Sequence, residues 1–219
     1  MIDILIVDDQ DLIRDGLRAI LDDDPDLRVV GEATDGSDAL RLNATLRPHV
    51  VLMDLRMPGM DGITATSRIV QTDTPPYVLV LTTYDSDDTV LAALQAGASG
   101  YLLKDAPRGR IIEAIHRVAD GEAQLAPQVA QRLINHIKTT PPPRHAAPLP
   151  PLTPRELDIL KAIARGRTNA EIADHLHLSI TTVKSYASSL FTKLAVSDRV
   201  QATVLAYESG LITPGHEDP

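Results

Sequence analysis

The chain has 219 residues, 43% of them hydrophobic and 23% charged, enough to build buried cores in one large domain or two smaller ones. It contains no cysteine, which excludes disulfides, thiolate zinc sites and thiol chemistry and suits a reducing compartment. The formal charge of -9 argues against a nucleic-acid binder until it is divided: residues 1–120 hold 11 Lys and Arg against 21 Asp and Glu, whereas residues 121–219 hold 10 against 9. The acidity belongs to the first half, and the near-neutral second half permits DNA binding without advertising it.

Met1-Ile2-Asp3 runs straight into a strand pattern, with no basic leader and no apolar stretch long enough to span a bilayer, so a cytoplasmic protein with no membrane partner is expected. Short apolar runs at Ile2–Val7, Val29–Ala33, Val50–Met53, Val78–Leu81 and Tyr101–Leu103 predict five strands. Amphipathic stretches at Leu12–Leu21, Ser37–Leu46, Ile63–Gln71, Asp87–Ala96 and Arg108–Ala119 predict the helices between them. Five such units favour an α/β fold, a doubly wound, flavodoxin-like (βα)5 parallel sheet. The heptad-like Ile111, Ile115 and Val118 read as ordinary core of its last helix.

A further amphipathic helix is predicted over Pro127–Lys138, followed by TTPPPRHAAPLPP at 139–151, where six of thirteen residues are proline. Such a segment is extended and semi-rigid, a linker and not a core. After it the pattern is wholly helical. Thr153-Pro154-Arg155-Glu156 and Thr168-Asn169-Ala170-Glu171 are capping boxes, the first with Pro at the opening helical position. Thr181–Leu194 places Val183, Ala187, Leu190 and Leu194 on one face, and a last helix from about Val200 to Ser209 stops at Gly210. The chain therefore divides into an α/β domain (1–120), a helix and Pro-rich linker (121–151) and a small all-α helix-turn-helix domain (152–213).

Asp8 and Asp9 follow the first strand, Asp54 the third, Thr82 ends the fourth and Lys104 follows the fifth. In an open parallel sheet these carboxyl ends form one edge, where ligands collect. Three carboxylates in one small site repel unless a cation is present or a proton is retained, and Mg2+ fits that donor set. Asp54 sits centrally and is the natural acceptor for a phosphoryl group; a Lys pairs with the added charge and a Thr hydroxyl donates to it. Strand-end Asp residues also cap helices or solvate loops, but five matched positions on one edge favour a site. A haloacid-dehalogenase-like phosphatase, the competing Asp-nucleophile enzyme, wants a second Asp two residues after the nucleophile, where this chain has Arg56.

The stretches ILIVDDQ (4–10), VVLMDLRMPGMDG (50–62), VLTTYD (80–85) and GASGYLLKDA (97–106) resemble, in order, the receiver domains of two-component response regulators. The resemblance implies that Asp54 is phosphorylated by a sensor histidine kinase, that Asp8, Asp9 and Asp54 hold Mg2+ with help from the backbone of Arg56, and that Thr82 and Lys104 contact the phosphoryl group. It places Tyr101 at the aromatic switch position. The alternative is a degenerate receiver that keeps the fold without being switched by phosphorylation, although no expected acidic or Lys position is missing.

LTPRELDILKAIARGRTNAEIADHLHLSITTVKSYASSLFTKLAVSDRVQATVLAYESGL (152–211) resembles the LuxR-type DNA-binding domain. Together the two halves resemble the NarL/FixJ class of response regulators: DNA-binding transcription regulators, not enzymes. In that reading Glu171–Leu176 is the scaffold helix and Thr181–Leu194 the recognition helix. The outward set is Thr182, Lys184, Ser185, Ser188, Ser189 and Thr192, with Lys184 the best single DNA contact and Lys193 and Arg199 adding backbone contacts. Tyr186 stands where the family often has His, and Ser188 where a basic residue occurs, which bears on the bases read. One Lys on the outward face gives modest affinity, so a homodimer on two half-sites of double-stranded DNA is expected. His175 and His177, two apart at a helix end, have the wrong spacing for a zinc site. Phosphorylation is expected to rearrange Thr82 and Tyr101 and to free or dimerise the DNA-binding half.

Overall fold

The computed structural model describes residues 1–83, 87–122, 124–125, 149–196 and 198–212, which separate into two compact units, Met1–Val129 and Ala130–Pro219. In the first unit, strands β1 (Ile2–Val7), β2 (Leu27–Ala33), β3 (Val50–Met53), β4 (Tyr77–Thr82), β5 (Gly100–Leu103) and β6 (Gln124–Leu125) form one parallel sheet in the order β2-β1-β3-β4-β5-β6. Helices α1 (Asp11–Leu21), α2 (Gly36–Leu46), α3 (Gly62–Ile69), α4 (Asp87–Gln95) and α5 (Arg108–Ala119) connect the first five strands and lead out of the fifth. This is the flavodoxin-like arrangement that alternating patterns predict, with a two-residue sixth strand added. The helix expected over 127–138, most of the linker and residues Tyr84 and Asp85 of the VLTTYD stretch lie outside the described residues.

The central strands read as continuous apolar runs because both faces of the sheet are covered. Ile4, Ile6, Leu52, Leu79 and Leu81 pack against Leu17 and Leu21 of α1 and Ile111, Ile115 and Val118 of α5. On the other face Leu5, Val7, Val51 and Met53 meet Ala39 of α2 and Ala65 and Ile69 of α3. The chain runs from β1 outward to β2 and then crosses back to β3. The carboxyl ends of β1 and β3 therefore flank the point where winding reverses, the position at which open α/β sheets bind ligands. Strand β2 begins at Leu27, two residues before the apolar pattern suggests: Leu27 and Arg28 pair in register with Ile2 and Asp3 of β1, and Arg28 Nε donates to Asp3 Oδ1 at 2.7 Å.

The second unit contains α6 (Pro154–Ala164), α7 (Asn169–Leu176), α8 (Ile180–Leu194) and α9 (Arg199–Glu208). Both capping boxes form: Thr153 N–H donates to Glu156 Oε2 at 2.7 Å, and Thr168 N–H donates to Glu171 Oε2 at 2.7 Å. Ser179 caps α8 by accepting from Thr182 N–H at 3.1 Å, and Asp198 caps α9 through Val200 and Gln201. Ile159, Leu160, Ile163, Ile172, Val183, Leu190 and Ala202 make the core, and Leu149, within the proline-rich stretch, packs on it. No helix among the described residues is long and apolar enough to cross a membrane.

Candidate functional site

The carboxyl edge of the sheet gathers Asp8, Asp9 and Asp54, whose ligand oxygens lie within 4.8 Å of one another. Two of them are placed by backbone. Asp8 N–H bonds Ala33 O and Asp54 N–H bonds Val7 O, so the residue after each strand is still held by the ladder when its side chain leaves the sheet. Asp8 and Asp54 are buried and Asp9 is exposed. Lys104, which follows β5, closes the group: its Nζ donates to Asp8 Oδ2 at 2.6 Å and to Asp54 Oδ2 at 2.9 Å, with only 7% of its side chain exposed. Its own N–H donates to Thr82 O, which ties the ends of β4 and β5.

Burial pushes the Asp54 carboxyl above the ordinary carboxylate range; Lys104 opposes this, Asp8 adds to it, and the backbone amide of Arg56 pulls it down. Burial draws the Lys104 ammonium down, but hydrogen bonds and charge from Asp8 and Asp54 outweigh it and hold it above its usual value. Three carboxylates and one ammonium leave two negative charges uncompensated. An oxygen-rich, doubly negative recess of this kind suits a hard divalent cation such as Mg2+, with water or a phosphoryl oxygen in the remaining positions.

Thr82, at the last position of β4, is buried, and Tyr101, paired in register with Val80, is fully buried inside β5. Gly62, the first residue of α3, is a residue that sequence reading passed over. A Cβ there would sit 2.0 Å from Asp54 O and 2.8 Å from Leu55 Cα. Only a hydrogen atom fits between the start of α3 and the backbone of Asp54, and Asp61 pins that start by accepting from Thr64 N–H at 2.8 Å.

On α8, Val183, Ala187, Leu190 and Leu194 face the core, while Lys184, Ser185, Ser188, Ser189 and Thr192 are exposed and Thr182 is half-buried. The Thr182 hydroxyl is already engaged with Ser179 Oγ at 2.8 Å. Lys193 Nζ donates to Glu156 Oε2 at 2.7 Å, clasping α8 to the start of α6. That bond, with those from Thr153, holds the Glu156 carboxyl down at about 2. Arg199 corrects the expectation for it: the residue is buried, 6% exposed, and Nη1 donates to Asn169 Oδ1 at 3.2 Å. It ties α9 to α7. With Ala202 and Ala206 it forms an i, i+3, i+7 set on the buried face of α9, the periodic signal that its positive charge overrode.

Comparison with known proteins covers both units. Residues 4–116 match the response regulator receiver domain family, and residues 150–206 match the bacterial regulatory proteins of the luxR family. Over 212 residues the chain is 43% identical to the transcriptional regulatory protein LiaR of Bacillus subtilis (strain 168), covering 97% of this chain and all of that one. Among solved structures, the response regulator ChrA of a heme-sensing two-component system is 39% identical with a TM-score of 0.53, covering 96% of this chain and 98% of that one. A structure of two RcsB dimers bound to two parallel DNAs is 26% identical with a TM-score of 0.56, covering 94% of this chain and 98% of that one. With receiver and LuxR-type helix-turn-helix in this order, the chain belongs to the NarL/FixJ class of two-component response regulators, phosphorylation-dependent regulators of transcription.

Proposed function

We propose that Asp54 accepts the phosphoryl group, from a phosphohistidine of a sensor kinase, and that the change is read out by the α8 face on double-stranded DNA. The observation that carries the reading is the convergence of Asp8, Asp9 and Asp54 with Lys104 bridging two of them. An Asp54 carboxylate oxygen attacks phosphorus in line; the new O–P bond forms as the donor's bond to phosphorus breaks, and the donor leaves with the electron pair. Asp8, Asp9 and Asp54, with the Arg56 backbone, would hold Mg2+, which supplies charge neutralisation when bound. Lys104, freed from its bond to Asp54 Oδ2 as that carboxylate becomes an ester, pairs with the incoming phosphoryl oxygens, and the Thr82 hydroxyl donates to another. Tyr101 repacks as Thr82 moves, altering the surface formed by α4, β5 and α5.

For DNA, the exposed Lys184, Ser185 and Ser188 supply groove and phosphate contacts, with Thr182 at the start of the helix. Lys193 contributes only when it releases Glu156. The RcsB structure is of dimers on DNA, and a homodimer is the form proposed here because one helix face carries little cationic charge.

Incubation with acetyl phosphate and a magnesium salt adds one phosphoryl group by intact-protein mass spectrometry, and Asp54→Asn abolishes the gain. A wild type that gains no mass refutes the acceptor assignment. Turnover on phosphate esters would point instead to an enzyme, and DNA binding that ignores both salt and Lys184→Ala would remove the α8 face from the reading.

A further inference from the structure

Asp8 has every hydrogen-bonding group occupied. Its N–H reaches Ala33 O at 3.1 Å, Oδ1 accepts from Gln10 N–H at 3.0 Å, and Oδ2 accepts from Lys104 at 2.6 Å. The last group, its carbonyl, accepts from Arg14 Nη1 at 2.7 Å. That carbonyl belongs to the Asp8–Asp9 peptide, a rigid plane whose orientation decides where Asp9 projects. Asp9 is exposed, so this peptide is what aims it.

The other end of the Arg14 fork is anchored. Nε donates to Glu32 Oε2 at 3.2 Å, and Glu32 lies in β2, paired in register with Ile6 of β1. Glu32 is held in turn by Arg18, whose Nε donates to Oε1 at 2.7 Å. Nη2 of Arg14 also reaches the exposed Asp11, a contact that contributes little. With 12% of its side chain exposed, Arg14 is a packed strut between the edge strand and one peptide plane. A planar guanidinium spans two acceptors at once; a lysine ammonium at the same position serves one.

We propose that Arg14 is a positioning residue for the acidic site: by fixing the Asp8–Asp9 peptide against Glu32 it presents the Asp9 carboxylate to the divalent cation. The inference rests on the cation-binding reading above and assigns Arg14 no contact with the ion.

The sign of the effect separates positioning from simple electrostatics. Arg14 is a cation near three carboxylates, so Coulomb's law alone makes Mg2+ bind more tightly to Arg14→Ala and leaves Arg14→Lys unchanged. Positioning makes both bind more weakly. Groups that orient metal ligands change affinity by about 10-fold or more when removed. Calorimetric titration of the full-length protein with Mg2+, and with Mn2+ as a second hard cation, is expected to show the dissociation constant rising by about that factor in Arg14→Lys and Arg14→Ala, and by less in Glu32→Gln, which loosens the anchor only.

Urea midpoints measured alongside show whether each variant is folded at the titration temperature, and if Arg14→Ala is not, Arg14→Lys decides. An Arg14→Lys affinity within about twofold of wild type, or tighter binding by Arg14→Ala, overturns the proposal and leaves the acidic site standing. A wild type that binds neither cation overturns the reading of the site, and this proposal with it.

Discussion

Replacing Lys104 with methionine removes the single ammonium from between two buried carboxylates. Its Nζ lies 2.6 Å from Asp8 Oδ2 and 2.9 Å from Asp54 Oδ2, so at an effective dielectric of about 20 each contact is worth roughly 6 kcal/mol before desolvation is counted. Burying the charges offsets most of this, and removing one partner of such a group costs about 3–5 kcal/mol because the other partners stay behind unpaired. Lys104→Met is therefore expected to destabilise the receiver by about that amount at pH 7 in EDTA. The assay is a urea titration followed by the amide signals of Val50–Met53, which report on β3 and so on the receiver alone. Added Mg2+ narrows the gap, since an acidic recess without its lysine binds the cation more tightly and gains more stability by mass action. Asp54→Asn tests the same reasoning in the opposite direction. Its carboxyl is held above the ordinary range, so its contribution to folding is greatest below pH 3.8 and is lost as pH rises through the raised value. The amide variant is thus more stable than wild type at pH 7, by a margin that shrinks toward pH 3.8 and widens in the Lys104→Met background. A loss below about 1 kcal/mol for Lys104→Met in EDTA, or a gap that grows with Mg2+, refutes the argument.

Three further outcomes are expected. Gly62→Ala forces a methyl group to 2.0 Å from Asp54 O, where only backbone can yield, so it destabilises the receiver by about 3 kcal/mol or more and slows phosphorylation by acetyl phosphate; Gly16→Ala, which meets nothing within 4 Å on an exposed face of α1, stabilises by about 0.5–1 kcal/mol in the same urea assay. The Glu156 carboxyl is held down to about 2, so stability of the helical unit that is present above pH 4.5 is lost as pH falls toward 2, and Glu156→Gln flattens that part of the profile measured by amide signals of α6 and α8. Lys184→Ala lowers the slope of log affinity against log salt by about 0.9 per chain, whereas Lys193→Ala leaves the slope unchanged and lowers stability instead; the reverse pattern would place the Lys193 ammonium on phosphate.

The strands and the acidic edge were legible because burial on both faces writes itself as continuous apolar runs, and because the chemistry sits at the ends of those runs. Asp8, Asp54 and Lys104 needed no distances to be grouped, only the rule that parallel strands share one carboxyl edge. Arg14 was not legible: its partner Glu32 is 18 positions away, and they meet only because β2 lies next to β1, which periodicity does not state. Gly62 stood inside a recognised motif, but its reason for being glycine lies in the approach of another backbone segment. Arg199 failed differently. A cation near a recognition helix reads as a phosphate contact, and its charge masks the helical period that turns it inward.

Two of the three basic residues expected at the DNA face are thus committed to the protein itself, Arg199 to Asn169 and Lys193 to Glu156. On the dimer reading, a site that one chain holds weakly fills only when two chains occupy it side by side, and occupancy well below saturation then follows the square of the active concentration. Doubling the phosphorylated fraction raises promoter occupancy about fourfold. On the same reading, a helical unit that turns two of its charges inward would convert graded phosphorylation of the receiver into a steeper transcriptional response than a more basic helix would give.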